Sequence, residues 1–191
     1  CPACKQVMTE DEATTHALCC KYVRGFTKST RHELILHAFR RVCHRYNITC
    51  WLPQDDYVAL DSTSKPDLIV SIGSVLIAID FSVVVPNAPS YMKMETARHG
   101  SSLQARAAKT GHKYAIAAKR NGHQFCPFIV SHTGKLHSAA KDLIAKLMKH
   151  ASITLPSWDF DDAASDFWKA MNDELQVALI RGNHGIIRAL F

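Results

Sequence analysis

The chain has 191 residues, of which 47% are apolar and 21% are charged. This composition excludes intrinsic disorder and indicates one domain with a substantial core. The longest apolar run, residues 68–79, is interrupted by two serines and a glycine, so we expect a soluble protein without a membrane span. Residues 1–152 have a net charge of +9 and residues 153–191 one of −3. That distribution fits a polyanionic partner, and it fits an ordinary basic domain equally well.

The N-terminal segment contains four of the seven cysteines within its first twenty residues. Such clustering differs from a secreted disulfide framework and predicts a reducing compartment and a metal site. The ligand types and approximate spacing are those of a CCHC zinc knuckle formed by Cys1, Cys4, His16 and Cys20, with Cys19 as the alternative to Cys20. Zinc would supply folding energy to residues 1–28, which have little apolar content; the alternative is a set of free thiols. Because the first residue is Cys rather than Met, we also expect a fragment of a longer protein.

The secondary-structure signals alternate between helix and strand along the chain. Thr30 and Glu33 form a capping-box pattern, which predicts a helix that begins there and ends near Asn47. Strands are predicted at 48–52 and 57–60, in a hairpin at 66–85, and at 114–118 and 125–130; helices are predicted at 89–112, 138–150 and 163–180, before a short tail at 185–191. This order indicates an α/β fold with helices around a mixed sheet.

The hairpin has a two-residue turn at Gly73-Ser74 of type II′, which pairs residues whose numbers sum to 147. One face of the hairpin is then wholly apolar, and the other brings Asp67 opposite Asp80 with their Cβ atoms about 4.5–5.5 Å apart. Like charges at that separation destabilise a hairpin unless a cation compensates them, and a divalent metal ion is the simplest candidate. The alternative is that either carboxylate ends a strand in solvent.

Pro66-Asp67, followed after twelve intervening residues by Asp80, resembles the PD-(D/E)xK nuclease core, in which two acids on a hairpin hold Mg²⁺. That superfamily has a lysine two residues after the second acid, where this chain has Ser82. The available replacements are Lys65, Lys109 and Lys113. A lysine near a helix end is otherwise an ordinary solvated cation.

Several motifs in a fixed order make the resemblance more specific. These are the CCHC knuckle, Arg31-His32, Lys65-Pro66-Asp67, Asp80, Lys109 with Lys113-Tyr114, and the closing Arg181-Gly-Asn-His184. Together they are similar to the restriction-like endonuclease domain that ends the polyprotein of site-specific non-LTR retrotransposons. The resemblance covers nearly the whole chain. It implies a restriction-endonuclease-like mixed sheet flanked by helices, divided into a zinc knuckle at 1–28, an endonuclease core at 29–155, and a C-terminal helical extension at 156–191 packed on the core.

The resemblance also implies an activity, which is metal-dependent nicking of double-stranded target DNA in the nucleus. The exposed 3′-hydroxyl would prime the reverse transcriptase region of the same polyprotein. By the same resemblance Asp67 and Asp80 would hold Mg²⁺ or Mn²⁺, and Lys109 would be the catalytic lysine, with Lys113 second. Glu33 on the first helix is a further candidate at the metal ion, although a capping role explains it more simply.

Four residues are candidates for DNA contact: Arg31, His32, Lys119 and Arg120. On a helical wheel His32 falls on the apolar side, so a packed structural role is equally open to it. The chief rival function is a non-catalytic nucleic-acid-binding module, which Ser82 at the lysine position favours. A structure-specific junction resolvase would need a dimer, whereas we expect a monomer, and a zinc-braced protein-interaction domain would lack salt-sensitive DNA affinity.

Overall fold

The computed structural model describes residues 1, 3–20, 26–54, 65–154 and 160–188. Within these ranges the chain forms six helices and four strands, in the mixed α/β class that the sequence predicted. They are α1 (Glu10–Cys19), α2 (Phe26–Arg45), β1 (Cys50–Trp51), β2 (Leu68–Ile72), β3 (Val75–Val84), α3 (Pro89–Ala97), α4 (Ser101–Arg120), β4 (Gln124–Ser131), α5 (Ser138–Thr154) and α6 (Phe160–Arg188). None of the helices in these ranges is both long and apolar enough to cross a bilayer.

The four strands form one mixed sheet in the order β1-β2-β3-β4. The β1–β2 and β2–β3 pairs are antiparallel, and β4 runs parallel to β3. The β2–β3 hairpin has the predicted register, from Ile72 opposite Val75 to Leu68 opposite Ile79. Gly73 has a φ of 59° whereas Ser74 does not have a positive φ, as a type II′ turn requires.

Alternate residues of β3 face two different layers of helices. Ile77, Ile79 and Phe81 belong to the main core, which α2, α5 and α6 cover. Phe81 packs there against Phe39 and Phe128, with ring centroids 5.2 Å and 4.9 Å away. Each such buried ring contributes about 2–3 kcal/mol from its removal from water. The opposite face, which includes Asp80 and Ser82, lies under α4.

Helix α4 lies close to the sheet because the residues that it buries are mostly small. Ala107 and Leu103 pack against β3 and β4, and Ala117 packs against β2. The polar residues of α4 that border this apolar stripe therefore lie near the polar residues of β3.

The predicted start of the first long helix is wrong. Helix α2 begins at Phe26, so Thr30 and Glu33 lie inside it. Nothing in the sequence between Phe26 and Thr30 breaks a helix, and the short S/T-x-x-E pattern also occurs within helices. The capping box of this structure is at the start of α1, where the Glu12 N–H donates to Thr9 Oγ1 at 3.4 Å and the Thr9 N–H donates to Glu12 Oε2 at 3.0 Å.

The predictions for residues 89–118 are wrong in two respects. The helix expected over 89–112 is interrupted before Gly100, whose φ of 88° precedes α4. The strand expected over 114–118 is instead part of α4, because three of those five residues are alanines and continue the helical apolar stripe. Gly111 costs about 1 kcal/mol relative to alanine, which is too little to end a helix of this length.

The remaining differences concern the ends of elements. Strand β1 is two residues long rather than the five expected over 48–52, and the strand predicted at 57–60 lies outside the described residues. Helix α5 extends four residues past its predicted end. Helix α6 runs to Arg188, through part of the predicted tail, and it packs on α2 and α5.

Candidate functional site

The N-terminal Cys/His cluster is a group of four side chains that could hold a metal ion. The ligand atoms of Cys1, Cys4, His16 and Cys20 all lie within 4.8 Å of one another. The Cys1 and Cys20 sulfurs are 3.9 Å apart, and the Cys4 sulfur is 3.2 Å from His16 Nε2. A tetrahedral zinc ion with Zn–S bonds of about 2.3 Å needs ligand separations of about 3.5–3.8 Å. The cluster therefore fits zinc in both ligand chemistry and size.

Two local features bring these ligands together. Lys5 has a φ of 62° and its N–H donates to the Cys1 carbonyl, so the chain turns tightly after Cys4. His16 lies in the last turn of helix α1, and Cys20 is the C-cap residue one turn further on, whose N–H donates to the His16 carbonyl. The Cys19 thiol instead lies 3.6 Å from the carbonyl oxygen of His16. Cys20 rather than Cys19 is thus the fourth member of the cluster.

The cluster is joined to the rest of the fold by a small apolar core of its own. Cys20, Ala17 and Leu18 pack there against Val85, which follows β3, and against Ile186 of α6. Through this contact the Cys/His segment packs against both the end of the sheet and the C-terminal helix.

A second contact joins α2 to α6 through Arg31. Its side chain is 6% exposed, and its Nη1 donates to Asn183 Oδ1 at 3.0 Å. Asn183 Nδ2 in turn donates to the carbonyl oxygen of His132 at 2.8 Å. Burial lowers the pKa of Arg31. This burial leaves Arg31, a predicted DNA contact, little surface for a phosphate.

The close approach of the two helices at Arg31 depends on Gly182. A Cβ atom at this position would lie 2.6 Å from Arg31 Cγ and 3.0 Å from its Cα. Because backbone must move to relieve that clash, we expect Gly182→Ala to destabilise the fold by about 1–3 kcal/mol. Gly185→Ala is the matched control, since no described atom lies within 4 Å of its Cβ; it should be neutral or stabilise by up to about 1 kcal/mol. Urea denaturation measures both, and equal stability of the two variants would contradict this account.

The predicted carboxylate pair lies where β2 begins and β3 continues beside β4. Strand pairing ends at Leu68 opposite Ile79, one step short of the two acids. Instead of pairing with Asp80, Asp67 bends: its N–H donates to the Ile79 carbonyl at 2.9 Å, and its Oδ2 accepts the Phe81 N–H at 2.6 Å. The bend gives the Asp67 carboxylate a backbone donor, which offsets the repulsion expected in the regular register.

Asp67 is also held by the first long helix. The His32 Nε2–H donates to Asp67 Oδ2 at 2.9 Å. This hydrogen bond is the largest cause of a raised pKa for His32. Glu33 Oε1 lies 3.6 Å from the other ring nitrogen of His32, so the imidazole separates Glu33 from Asp67. Of the two predicted helix residues, His32 rather than Glu33 reaches the carboxylates.

Asp80 is 7% exposed, and its surroundings disfavour its charged form. Burial and then the negative charge of Asp67 raise the pKa of Asp80 to about 6. Arg106 and His32 oppose this shift through their positive charge, and the Tyr114 hydroxyl opposes it as a hydrogen-bond donor. The two carboxylates therefore interact in one partly buried site. Arg106, His32 and Tyr114 compensate its negative charge only in part.

Arg106 of α4 is the site residue that the sequence analysis missed. Its Nε and Nη2 donate to Ser82 Oγ at 3.1 Å and 2.9 Å, and Ser82 Oγ donates to Asp80 Oδ2 at 3.4 Å. Had residues 101–120 been predicted as one helix, Arg106 would fall on the same side as Tyr114, two turns away. The incorrect prediction of a strand at 114–118 prevented this helical relation between Arg106 and Tyr114 from being recognised.

The cations of α4 that the sequence predicted as site residues lie at the surface of the helix. Lys113 Nζ is 4.7 Å from the centre of the Tyr114 ring, which brings Lys113 to the rim of the site. Lys109, Lys119 and Arg120 are exposed. No protein-family model matches the sequence, and no curated protein matches it either. The function is therefore inferred from the two clusters.

Proposed function

We propose that this chain is a metal-dependent DNA endonuclease with a restriction-endonuclease-like fold, which nicks target DNA during insertion of a non-LTR retrotransposon. The observation that supports this most is the pair of interacting carboxylates, Asp67 and Asp80, on a hairpin beside the side chain of Arg106. Of the residues on which the sequence resemblance depends, His32, Asp67, Asp80 and Tyr114 interact at this site. The nuclear location and the reverse transcriptase partner belong to the same proposal and depend on the resemblance alone.

The donor set at the carboxylates suits Mg²⁺ or Mn²⁺. Both ligands are carboxylate oxygens, which these hard ions prefer. Burial and then the charge of Asp67 raise the pKa of Asp80, and a cation bound between the two carboxylates would offset both effects. A divalent ion bound there supplies Lewis acidity to phosphodiester hydrolysis. The cysteine-rich cluster, by contrast, suits zinc in a structural role.

Each side chain has a role in the proposed reaction. His32 and the Phe81 N–H orient Asp67, and Ser82 orients Asp80. A water oxygen bonds to phosphorus as the bond from phosphorus to O3′ breaks, which leaves a 5′-phosphate and a 3′-hydroxyl. The water loses a proton to solvent and O3′ gains one. Lys113 is the lysine that the geometry favours near the phosphate, ahead of Lys109, because it lies beside Tyr114.

A row of cations on α4 supports DNA as the substrate. Arg106, Lys109, Lys113 and Arg120 recur at intervals of three, four and seven residues, which aligns them along one side of the helix. Such a row places positive charge along one line of the helix surface, which would attract a polyanionic backbone and give salt-sensitive affinity.

Plasmid nicking tests this proposal. The wild-type chain should convert supercoiled plasmid to the open circular form with Mg²⁺ or Mn²⁺, and Asp67→Ala should lower the rate by about 1,000-fold or more because it removes a metal ligand. Asp142→Ala, an exposed acid on α5, is the matched control and should nick normally. Nicking that survives in Asp67→Ala would contradict the proposal.

The second candidate is a DNA-binding module without catalysis. Ser82 at the expected lysine position favours it. This candidate predicts salt-dependent plasmid binding that needs no divalent cation, with no nicking by the wild-type chain.

A further inference from the structure

Two residues from different elements fill the position at which the nuclease superfamily has its lysine. Ser82 occupies that position in β3 and is 6% exposed. A serine has no positive charge, and the side chain that reaches it is Arg106, which lies 24 residues further along. The cation thus approaches the carboxylates from α4 rather than from the hairpin.

We propose that Arg106 is a catalytic residue, which binds a non-bridging oxygen of the scissile phosphate and stabilises the charge that develops on it. This inference rests on the proposed endonuclease function. Neither the resemblance nor the sequence pattern assigns a role to this arginine.

The geometry of the guanidinium fits such a role. Nε and Nη2 both donate to Ser82 Oγ, which fixes the plane of the group without using all of its donors. Nη1 has no hydrogen-bond partner among the described residues. The side chain is partly exposed, so that nitrogen can meet a ligand while the rest of the group stays fixed. A fixed donor aimed at developing charge costs little reorganisation during reaction.

The chemistry of arginine restricts what Arg106 does. A guanidinium keeps its proton in proteins, so it cannot act as the general base. It can neutralise a phosphate and orient it through paired donors. This separates Arg106 from Lys113, which lies against the Tyr114 ring at the rim.

Nicking kinetics of the full chain with Mn²⁺ test this role through Arg106→Ala, Arg106→Lys and Lys141→Ala, the last being an exposed control on α5. We expect Arg106→Ala to lower the single-turnover rate by about 100- to 1,000-fold, with Arg106→Lys intermediate and Lys141→Ala unchanged.

Free guanidinium at sub-denaturing concentration should restore part of the Arg106→Ala rate. Mn²⁺ affinity, measured by electron paramagnetic resonance, should change by less than about threefold, since Arg106 is not a ligand.

These outcomes separate a failure of the role proposed for Arg106 from a failure of the proposed endonuclease function. If the wild-type chain nicks DNA and Arg106→Ala nicks within about threefold of it, Arg106 is not catalytic although the nuclease proposal stands. Loss of Mn²⁺ binding in Arg106→Ala, without rescue by guanidinium, would overturn the inference by assigning Arg106 a purely structural role. If Arg106→Ala does not fold, the folded Arg106→Lys variant decides, because a lysine keeps the charge and loses the planar set of donors; nicking at the full wild-type rate by this variant would overturn the inference. A wild-type chain that does not nick overturns both proposals.

Discussion

Replacing Asp80 by asparagine should stabilise the protein at pH 7 when Mg²⁺ and Mn²⁺ are absent, by about 3 kcal/mol. The carboxylate is buried and faces Asp67, and its pKa is raised from 3.8 to about 6. Each pKa unit corresponds to about 1.4 kcal/mol of unfavourable free energy once the group is ionised. Asparagine has nearly the same shape and can still accept the hydrogen bond from Ser82. The variant should also lose nicking activity, so stability and activity change in opposite directions.

The pH dependence of this effect has a definite sign. Because the folded-state pKa lies above the unfolded value, the folded state binds the proton more tightly than the unfolded state. Below about pH 4 the Asp80 side chain is therefore protonated in both states and has no effect on the free energy of unfolding. As the pH rises through about 6, its ionisation progressively destabilises the folded state. The stability difference between Asp80→Asn and wild type should grow over that range and level off above about pH 7.

Urea denaturation at pH 4 and pH 7 measures this difference, in buffer that contains one equivalent of zinc and no other divalent cation. Asp142→Asn, an exposed acid, is the control and should show no such pH-dependent gain. Added Mg²⁺ should stabilise wild type but not Asp80→Asn, because only the native carboxylate site binds it. An Asp80→Asn variant that is less stable than wild type at pH 7 would contradict the account.

The second large effect concerns the N-terminal Cys/His cluster, where the adjacent Cys19 and Cys20 should differ in their effect on zinc binding. Cys20→Ser removes one of the four clustered ligands, whereas Cys19→Ser removes a thiol that lies outside the group. Loss of an outer-shell partner typically lowers metal affinity by about 10–100-fold, and loss of a ligand should exceed that. Competition with a chromogenic zinc chelator should therefore give one tightly bound equivalent for wild type and Cys19→Ser, and much weaker binding for Cys20→Ser.

The loss of zinc should affect only part of the fold. The apolar contacts of the Cys/His segment form a cluster separate from the main core around Phe39. Limited proteolysis of Cys20→Ser should thus cleave within residues 1–20 while the sheet and its helices stay protected. Equal zinc affinity of the two serine variants would show that the cluster is not the metal site.

The parts of this fold that could be predicted from sequence are those specified by local patterns. The hairpin register follows from a glycine at the first position of a two-residue turn, and the Cys/His cluster follows from ligand types at short spacing. Both signals lie within about twenty residues of chain. The bend at Asp67 could not be anticipated, because it depends on hydrogen bonds to His32 and to the Phe81 backbone.

The parts that were missed depend on contacts between distant segments. Arg31 bonds to Asn183, 152 residues away, and only the packed helices reveal why Gly182 lies between them. Arg106 bonds to Ser82, 24 residues earlier in the chain, and the strand predicted at 114–118 separates it from Tyr114, although packing against the sheet makes α4 continuous. Local propensity is a weak guide where tertiary packing determines the length of an element.

The most direct test of the central claim is a crystal of the full chain soaked in Mn²⁺ and measured at a wavelength where manganese scatters anomalously. The account predicts an anomalous difference peak between the side chains of Asp67 and Asp80, with Mn–O distances of about 2.0–2.3 Å. A well-ordered site with both carboxylates in view and no manganese between them would contradict it.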